Sequence, residues 1–352
     1  MAQLRAGPCG GLANRRPVDM ICKSRLASFL FCFIAALLFA PSALIAREIS
    51  VSTKPILHFL PSKPDQKIFG KLEFLGGLVL QSKDKHFGGI SGARFSPKDG
   101  KLLAVTDKGR FLTFNLDRNE NMPHNVSDVT ITRLRDQTGK KLTRKYDKDA
   151  ETLEIAGDNI LVGFERNDRI EFYRRKDNKL KPSNTKKVID LNPLGFTLNK
   201  GPEAIAYAPK ASPIAGKILT FAEFLPNHNN NHSGYILDGK TIERLSMTES
   251  GAYSLTDAAF LANGDLLMLE RRFSIFSGIS MRIRRFSASS INTDAVIEGE
   301  VLIEVYGKHV IDNMEAMALS LMTDGSTRVT LLSDDNFSSD QRTILLEFRL
   351  LD

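Results

Sequence analysis

Residues 150–165 read AETLEIAGDNILVGFE, and the architecture of the whole chain can be worked out from this segment. Ala150-Glu151-Thr152-Leu153-Glu154-Ile155 is a short β-type run. Gly157-Asp158-Asn159 is a turn, and the apolar run 160–164 ends on Glu165. A strand-length run, turn residues and a second apolar run make a hairpin. The same plan recurs four more times. Its first strands are Ile90-Ser91-Gly92-Ala93-Arg94-Phe95, Pro202-Glu203-Ala204-Ile205-Ala206-Tyr207, Thr256-Asp257-Ala258-Ala259-Phe260-Leu261 and Met314-Glu315-Ala316-Met317-Ala318-Leu319. The second residue of each unit is Ser91, Glu151, Glu203, Asp257 or Glu315, at spacings of 60, 52, 54 and 58. The second strands (102–106, 160–164, 218–222, 266–269 and 329–333) run into Asp107, Glu165, Glu223, Glu270 and Asp334.

Third strands are read at 110–115, 169–173, 281–286 and 343–348, and fourth strands at 129–134, 187–191, 241–245 and 297–305. No long stretch carries the 3.6-residue apolar period of a helix. Four-stranded units repeating every 50–60 residues predict an all-β propeller of five blades, or six if the segment before Lys71 contributes more. The fifth unit stops after three strands. The unpaired strand at 71–80 (KLEFLGGLVL) is expected to supply the fourth and close the ring, which leaves only short edges.

Ahead of the repeats stands a leader. Lys23 and Arg25 precede fifteen uncharged residues, LASFLFCFIAALLFA at 26–40, and Pro41-Ser42-Ala43-Leu44-Ile45-Ala46 follows. Basic flank, apolar run and small residues predict a signal peptide over 1–46, and a periplasmic or secreted location. The run is marginal for a membrane span, which needs about 20 residues. A single domain over 47–352 is then expected, with no stable span after cleavage. Met20 is an alternative start.

Removing the leader also changes the charge argument. The 352-residue chain carries 48 basic and 41 acidic residues. The leader holds Arg5, Arg15, Arg16, Lys23 and Arg25 against Asp19, leaving 43 basic and 40 acidic side chains. Binding nucleic acid by phosphate neutralisation needs a concentrated basic excess, so no nucleic-acid partner is expected. Cys9, Cys22 and Cys32 all lie in the leader, which excludes disulfides, thiolate nucleophiles and cysteine-held zinc from the body.

In a hairpin, the start of the first strand and the end of the second share one end. The repeat therefore pairs Glu151 with Glu165, Glu203 with Glu223, Asp257 with Glu270 and Glu315 with Asp334. Innermost strands surround the channel, so these acids are expected to converge on one mouth. Two unit charges ~4 Å apart repel by ~4 kcal/mol at an effective dielectric of 20. Such a ring needs basic neighbours, raised pKa values or a cation, and oxygen ligands favour calcium or magnesium.

The motifs Asp149-Ala150-Glu151, Phe164-Glu165-Arg166, Asn199-Lys200-Gly201-Pro202-Glu203-Ala204, Leu269-Glu270-Arg271, Asp312-Asn313-Met314-Glu315 and Ser333-Asp334-Asp335-Asn336-Phe337 occur in this order. Over about 70–350 the chain resembles the bacterial family called esterase-like activity of phytase, the phytase-like domain. The resemblance implies an exported propeller that hydrolyses phosphoesters or carboxyl esters.

From the residues themselves come these role assignments. A divalent cation, calcium by donor type, is held by Glu151, Glu203, Glu315 and Asp334. Arg166, Arg271 and Asn336 bind a small anionic or ester substrate, and Glu223 or Glu270 acts as general base. The alternatives are a non-catalytic propeller that binds a ligand or envelope partner, and a gluconolactonase-like lactone hydrolase. Gly89-Ile90-Ser91-Gly92-Ala93 nearly spells a serine-esterase elbow, but that elbow needs a strand-to-helix turn. A turn role for Gly88-Gly89 is the better reading. His228-Asn229-Asn230-Asn231-His232 follows Pro226 and reads as a loop rather than a helical metal site.

Overall fold

The computed structural model describes residues 46–176, 179–182, 188–196, 201–226, 231–239, 241–249, 251–275 and 278–351; at 176, 179, 180, 182 and 223–226 it describes the backbone alone. The predicted leader therefore lies outside the described residues, except Ala46. Among the described residues no helix is long and apolar enough to cross a membrane.

The hairpins assemble as the repeat demands, in five antiparallel sheets. Blade 1 runs Ile90–Phe95, Leu102–Thr106, Arg110–Asn119 and Met122–Arg133, with Arg47–Glu48 on its outer edge. Blade 2 runs Ala150–Ala156, Asn159–Phe164 and Arg169–Lys176, and its outer position is shared by Lys179–Pro182 and Val188–Asp190. Blade 3 is Pro202–Tyr207, Ile218–Pro226, His232–Leu237 and Ile242–Met247. Blade 4 is Ser254–Phe260, Leu266–Ser274, Gly278–Phe286 and Glu300–Tyr306.

Blade 5 closes the ring. Asn313–Leu321, Thr327–Asp334 and Thr343–Leu350 are joined by Leu72–Gln81, which pairs from Leu72↔Leu350 to Leu80↔Thr343. Ser52–Ile56 pairs with the outer side of that strand. Five blades with an N-terminal closing strand is the architecture the repeat predicts, and the sixth blade is not needed. One expected strand divides: Val296–Ile297 leaves the predicted 297–305 element and pairs in parallel with Ile242–Met247 of blade 3.

The core is a ring rather than a ball. Five separate apolar clusters each fill one interface between neighbouring blades. An aromatic cluster fills the interface between blades 4 and 5, where Phe59 stacks on Phe74 at 5.4 Å and meets Phe69 and Phe348 edge-on at 4.9 and 5.1 Å. Strands packed on both faces must be apolar on both faces, which is why Leu102–Thr106 is buried throughout.

Every innermost strand carries a β-bulge near the start of its ladder. The register shifts at Ile90/Gly92, at Ala150/Thr152 opposite Phe164/Gly163, at Pro202/Ala204, at Leu255/Asp257 and at Met314/Ala316. The unpaired residue is therefore Ser91, Glu151, Glu203, Thr256 or Glu315. A bulge re-aims one side chain at a sheet edge, and here it does so five times around one axis.

Candidate functional site

The bulges put the acids of blades 2, 3 and 5 at one end of the channel. Glu203 and Glu315 are almost fully buried, and Glu151 is partly covered. The second strands add Asp107 from blade 1, Glu165 from blade 2 and Asp334 from blade 5. Asp149 enters from the residue before blade 2. One carboxylate oxygen from each of Asp149, Glu151 and Glu165 lies within 4.8 Å of the others.

The charges respond as crowded charges must. Burial, then Asp149, Glu165, Glu315 and Asp107, push the Glu151 carboxyl well above the ordinary carboxylate range. Burial and Glu315 lift Asp334 to about 8, with Asp107 and Asp335 adding to the shift. Asp107 rises to about 6 through burial, with Asp149 adding to the shift against the opposing charge of Lys108. Its Oδ1 is buried without a hydrogen-bond partner among the described residues. Side chains from blades 1, 2 and 5 thus perturb one another, as a shared mouth requires.

Blade 4 departs from the expectation, and the bulge register explains how. Aligning the repeat on its acids matched Asp257 to Glu151 and Glu270 to Glu165. The ladder instead makes Thr256 the bulge residue, and Glu270 sits opposite Leu255 where Phe164 sits opposite Ala150. The true counterpart of Glu165 is Arg271. A one-residue offset turns a side chain to the other face of a strand, so both blade 4 acids leave the mouth.

Asp257 points down the channel instead, fully buried, where both its oxygens accept from Arg94 at 2.9 and 3.0 Å. Glu270 is equally buried. Its two oxygens accept from Arg282 at 2.6 and 3.1 Å and from Arg284 at 2.8 and 2.6 Å. A carboxylate enclosed by two guanidiniums has no exposed lone pair for a substrate proton, so Glu270 does not fit the predicted general-base role. The Glu223 side chain lies outside the described residues.

The rim arginines are drawn inward by the acids. Arg166 Nε donates to Asp149 and lies 4.0 Å from Glu165. Arg271 Nε lies 3.1 Å from Glu315, which also accepts from Asn313 Nδ2 at 2.8 Å. Thr256 Oγ1 donates to the Leu269 and Met314 carbonyls at 3.3 and 3.2 Å, tying blade 4 to blade 5.

The loop after Asp334 is fixed by Asp335 rather than by Asn336. Asp335 Oδ1 accepts from the Gly89 and Phe337 amides, each at 3.0 Å, and Oδ2 accepts from Thr343 Oγ1 at 2.9 Å. Asn336 is left-handed at φ 47° and its Nδ2 donates outward to Gln341 at 3.0 Å. Phe337 receives Lys108 Nζ over its ring, 2.8 Å from the centroid.

Gly88 and Gly89 have φ of 113° and 65°, and a Cβ on Gly89 would stand 2.3 Å from both Asp107 Oδ1 and the Phe337 ring. The turn role predicted for this pair is what they perform. Ser91 is buried with Oγ 3.3 Å from the Gly89 carbonyl and leads into a strand, not a helix. The His228–His232 motif lies partly outside the described residues, and His232 itself begins a buried strand.

Asp149 and Asp335 are mouth residues that sequence reasoning did not place at the mouth, and Asp107 and Glu165 were placed there without a role. Asp149 and Asp335 stood inside quoted motifs, but neither occupies a repeated position. Arg94 was missed altogether. It forms the floor of the mouth, bonding Glu154 of blade 2, the Ile205 carbonyl of blade 3, Asp257 and the Ala258 carbonyl of blade 4, and the Met317 carbonyl of blade 5.

Five blades closed into a ring, with carboxylates crowding one mouth of a plugged channel, make this a β-propeller with an acidic central site. Within that class, the chain belongs to the phytase-like family described as "Esterase-like activity of phytase", whose profile matches residues 85–337. No curated protein matches the chain. Among solved structures, similarity extends to the WD40 domain of Toxoplasma gondii coronin at 7% identity and TM-score 0.34, over 88% of this chain and 90% of that one. A glucose dehydrogenase aligns at 11% identity and TM-score 0.41, over 78% of this chain and 98% of its own. The PQQ-bound aldose sugar dehydrogenase of Streptomyces coelicolor aligns at 11% and 0.41, over 85% and 99%.

Proposed function

We propose that this protein is an exported hydrolase of phosphoesters or carboxyl esters whose reaction takes place at the acid-lined mouth. The observation that carries the reading is the convergence of Asp149, Glu151 and Glu165 oxygens within 4.8 Å, with the Glu151 pKa raised by burial and then by their charges. Family membership supports ester chemistry, and the signal-like leader supports export.

The donor set fits a hard divalent cation such as calcium, because every candidate ligand is an oxygen and the crowded carboxylates still raise one another's pKa beside Arg166. Asp149, Glu151 and Glu165 would hold the ion, with Glu203, Glu315 and Asp334 lining the same mouth. A calcium held by these carboxylates would supply Lewis-acid polarisation of the scissile group and a lowered pKa for a water bound to it.

The remaining roles fall to side chains with suitable proton affinities. Asp107, lifted to about 6 and with an oxygen lacking a partner among the described residues, is the carboxylate suited to take a proton near neutrality. Asp334, lifted to about 8, holds a proton at neutral pH that it can give to a leaving oxygen. Arg166 and Arg271 neutralise the mouth through Asp149 and Glu315 and border the space where the substrate would sit.

The test is turnover by the purified protein of an aryl phosphate, an aryl carboxyl ester and a lactone, with and without chelator. Calcium-dependent hydrolysis of either ester is the expected result. Turnover of none, or of the lactone alone, overturns the reading; ester turnover indifferent to chelator removes the cation from it.

A further inference from the structure

A second cavity, of about 670 Å³, opens on blade 1 and is lined by Arg47, Lys83, Lys85, His86, Arg110 and Arg133. Among the described residues Asp84 is the sole acid of its lining, and it is already engaged: Arg47 donates to it, and this contact first of all lowers its pKa to about 2. Lys83, Lys85, Arg110 and Arg133 remain to be balanced.

The two arginines carry the argument. Arg110 and Arg133 are directly opposed partners on adjacent strands, an arrangement in which like charges destabilise a sheet. Arg110 Nε is buried and has no hydrogen-bond partner among the described residues. Burial, then the charges of Arg133 and Arg47, pull its pKa below the ordinary arginine value. This guanidinium donor lines a cavity beside a second guanidinium and two ammonium groups, and the described residues offer it no acceptor.

We propose that this cavity is a subsite for the phosphate group of an anionic substrate. A tetrahedral dianion offers several acceptor oxygens to two guanidinium forks and matches a multiply cationic pocket better than a carboxylate does. The pocket is also near the chemistry. Arg110 follows Asp107 by three residues through a tight turn in which the Gly109 amide donates to the Thr106 carbonyl at 2.8 Å, so their Cα atoms stand no more than about 10 Å apart. With Arg166 and Arg271 facing mouth acids, blade 1 supplies the cations that the mouth lacks. Anion binding stands on the cavity alone; its belonging to the substrate rests on the hydrolase reading above.

The test begins with calorimetric titration of inorganic phosphate into metal-free, chelator-free protein at low salt. Wild-type protein is expected to bind, and R110Q/R133Q to bind at least about tenfold more weakly, since each arginine contributes charge-assisted hydrogen bonds. Phosphate is expected to raise the wild-type Tm and not that of the double variant. Without phosphate the variant should melt at or above the wild-type temperature, because a repulsion has been removed. The KM for an aryl phosphate, relative to that for a neutral aryl ester, should rise by about tenfold in the variant. Absence of wild-type phosphate binding, unchanged binding by the variant, or equally tight binding of acetate each overturns the subsite. Phosphate binding with no turnover of any ester sustains the subsite and sinks the hydrolase reading, while turnover without phosphate binding does the reverse.

Discussion

Arg94 of blade 1 grips both carboxylate oxygens of Asp257 across the channel in blade 4, at 2.9 and 3.0 Å. Through the same guanidinium it reaches the innermost strands of every other blade, so one side chain ties the ring together on its axis. Both partners are buried, and removing Arg94 strips Asp257 of the cation that faces it. Arg94→Met is expected to lower stability by about 3–5 kcal/mol, a large share of a typical domain's total. Denaturant unfolding measures this. R94M/D257N should recover part of the loss, and a change below about 1 kcal/mol in the single variant would show that the ring does not depend on this lock.

Glu270 is also a buried carboxylate, but its partners lie within its own blade. Enclosed by Arg282 and Arg284, it belongs to stability rather than to proton transfer. Glu270→Gln is expected to lower the Tm while the folded fraction keeps its kcat within about twofold. A kcat collapse in protein that remains folded would restore the catalytic role first expected from the sequence.

Glu151 is strained by its neighbours when no cation is bound. Glu151→Gln should therefore raise the Tm of calcium-free protein and abolish the rise that calcium gives the wild type. At a calcium concentration 100 times Kd, that wild-type rise corresponds to about 2.7 kcal/mol. Equal calcium stabilisation of both proteins places the ion elsewhere.

The pH dependence has a definite sign. Asp107 and Asp334 bind protons more tightly in the folded chain, at about 6 and about 8, than at an ordinary carboxylate pKa. Their proton-linked stability is present in full below about pH 4 and is lost as pH climbs through these folded values. Calcium-free protein should melt progressively lower as pH rises from about 5 to 9, and Asp334→Asn should flatten the upper part of that decline. A wild-type Tm that is flat or rising over this range contradicts the crowded mouth.

Ser91 and Gly89 separate turn geometry from nucleophilic chemistry. Ser91→Ala removes one long hydrogen bond and should leave kcat within about twofold. Gly89→Ala drives a Cβ against Asp107 and Phe337 at a positive φ, and should lose both activity and about 1–3 kcal/mol of stability. Turnover assays and melting curves on the two variants decide it; an inactive but folded Ser91→Ala would reinstate a serine mechanism.

Much of the site was legible because a strand's alternation and a hairpin's shared end are local properties. Glu151, Glu165, Glu203, Glu315 and Asp334 could be placed at one end of their blades without coordinates. Blade 4 was not legible in the same way. Its acids match the repeat by residue type, and nothing in Thr256-Asp257 announces which of the two is extruded by the bulge. Arg110 and Arg133 were similarly silent, since 23 residues separate two side chains that the sheet sets opposite each other.

The number of blades, the strand that closes them and the family are all written along the chain, because they depend on apolar periodicity, turn residues and motifs. Which charges meet is a property of the folded ring alone. Partnerships such as Arg94 with Asp257, Glu270 with two arginines and Asp149 with Glu151 and Glu165 depend on ladder register and on curvature around an axis. A single-residue shift there exchanges the two faces of a strand, while the hydrophobic pattern that builds the blade stays the same.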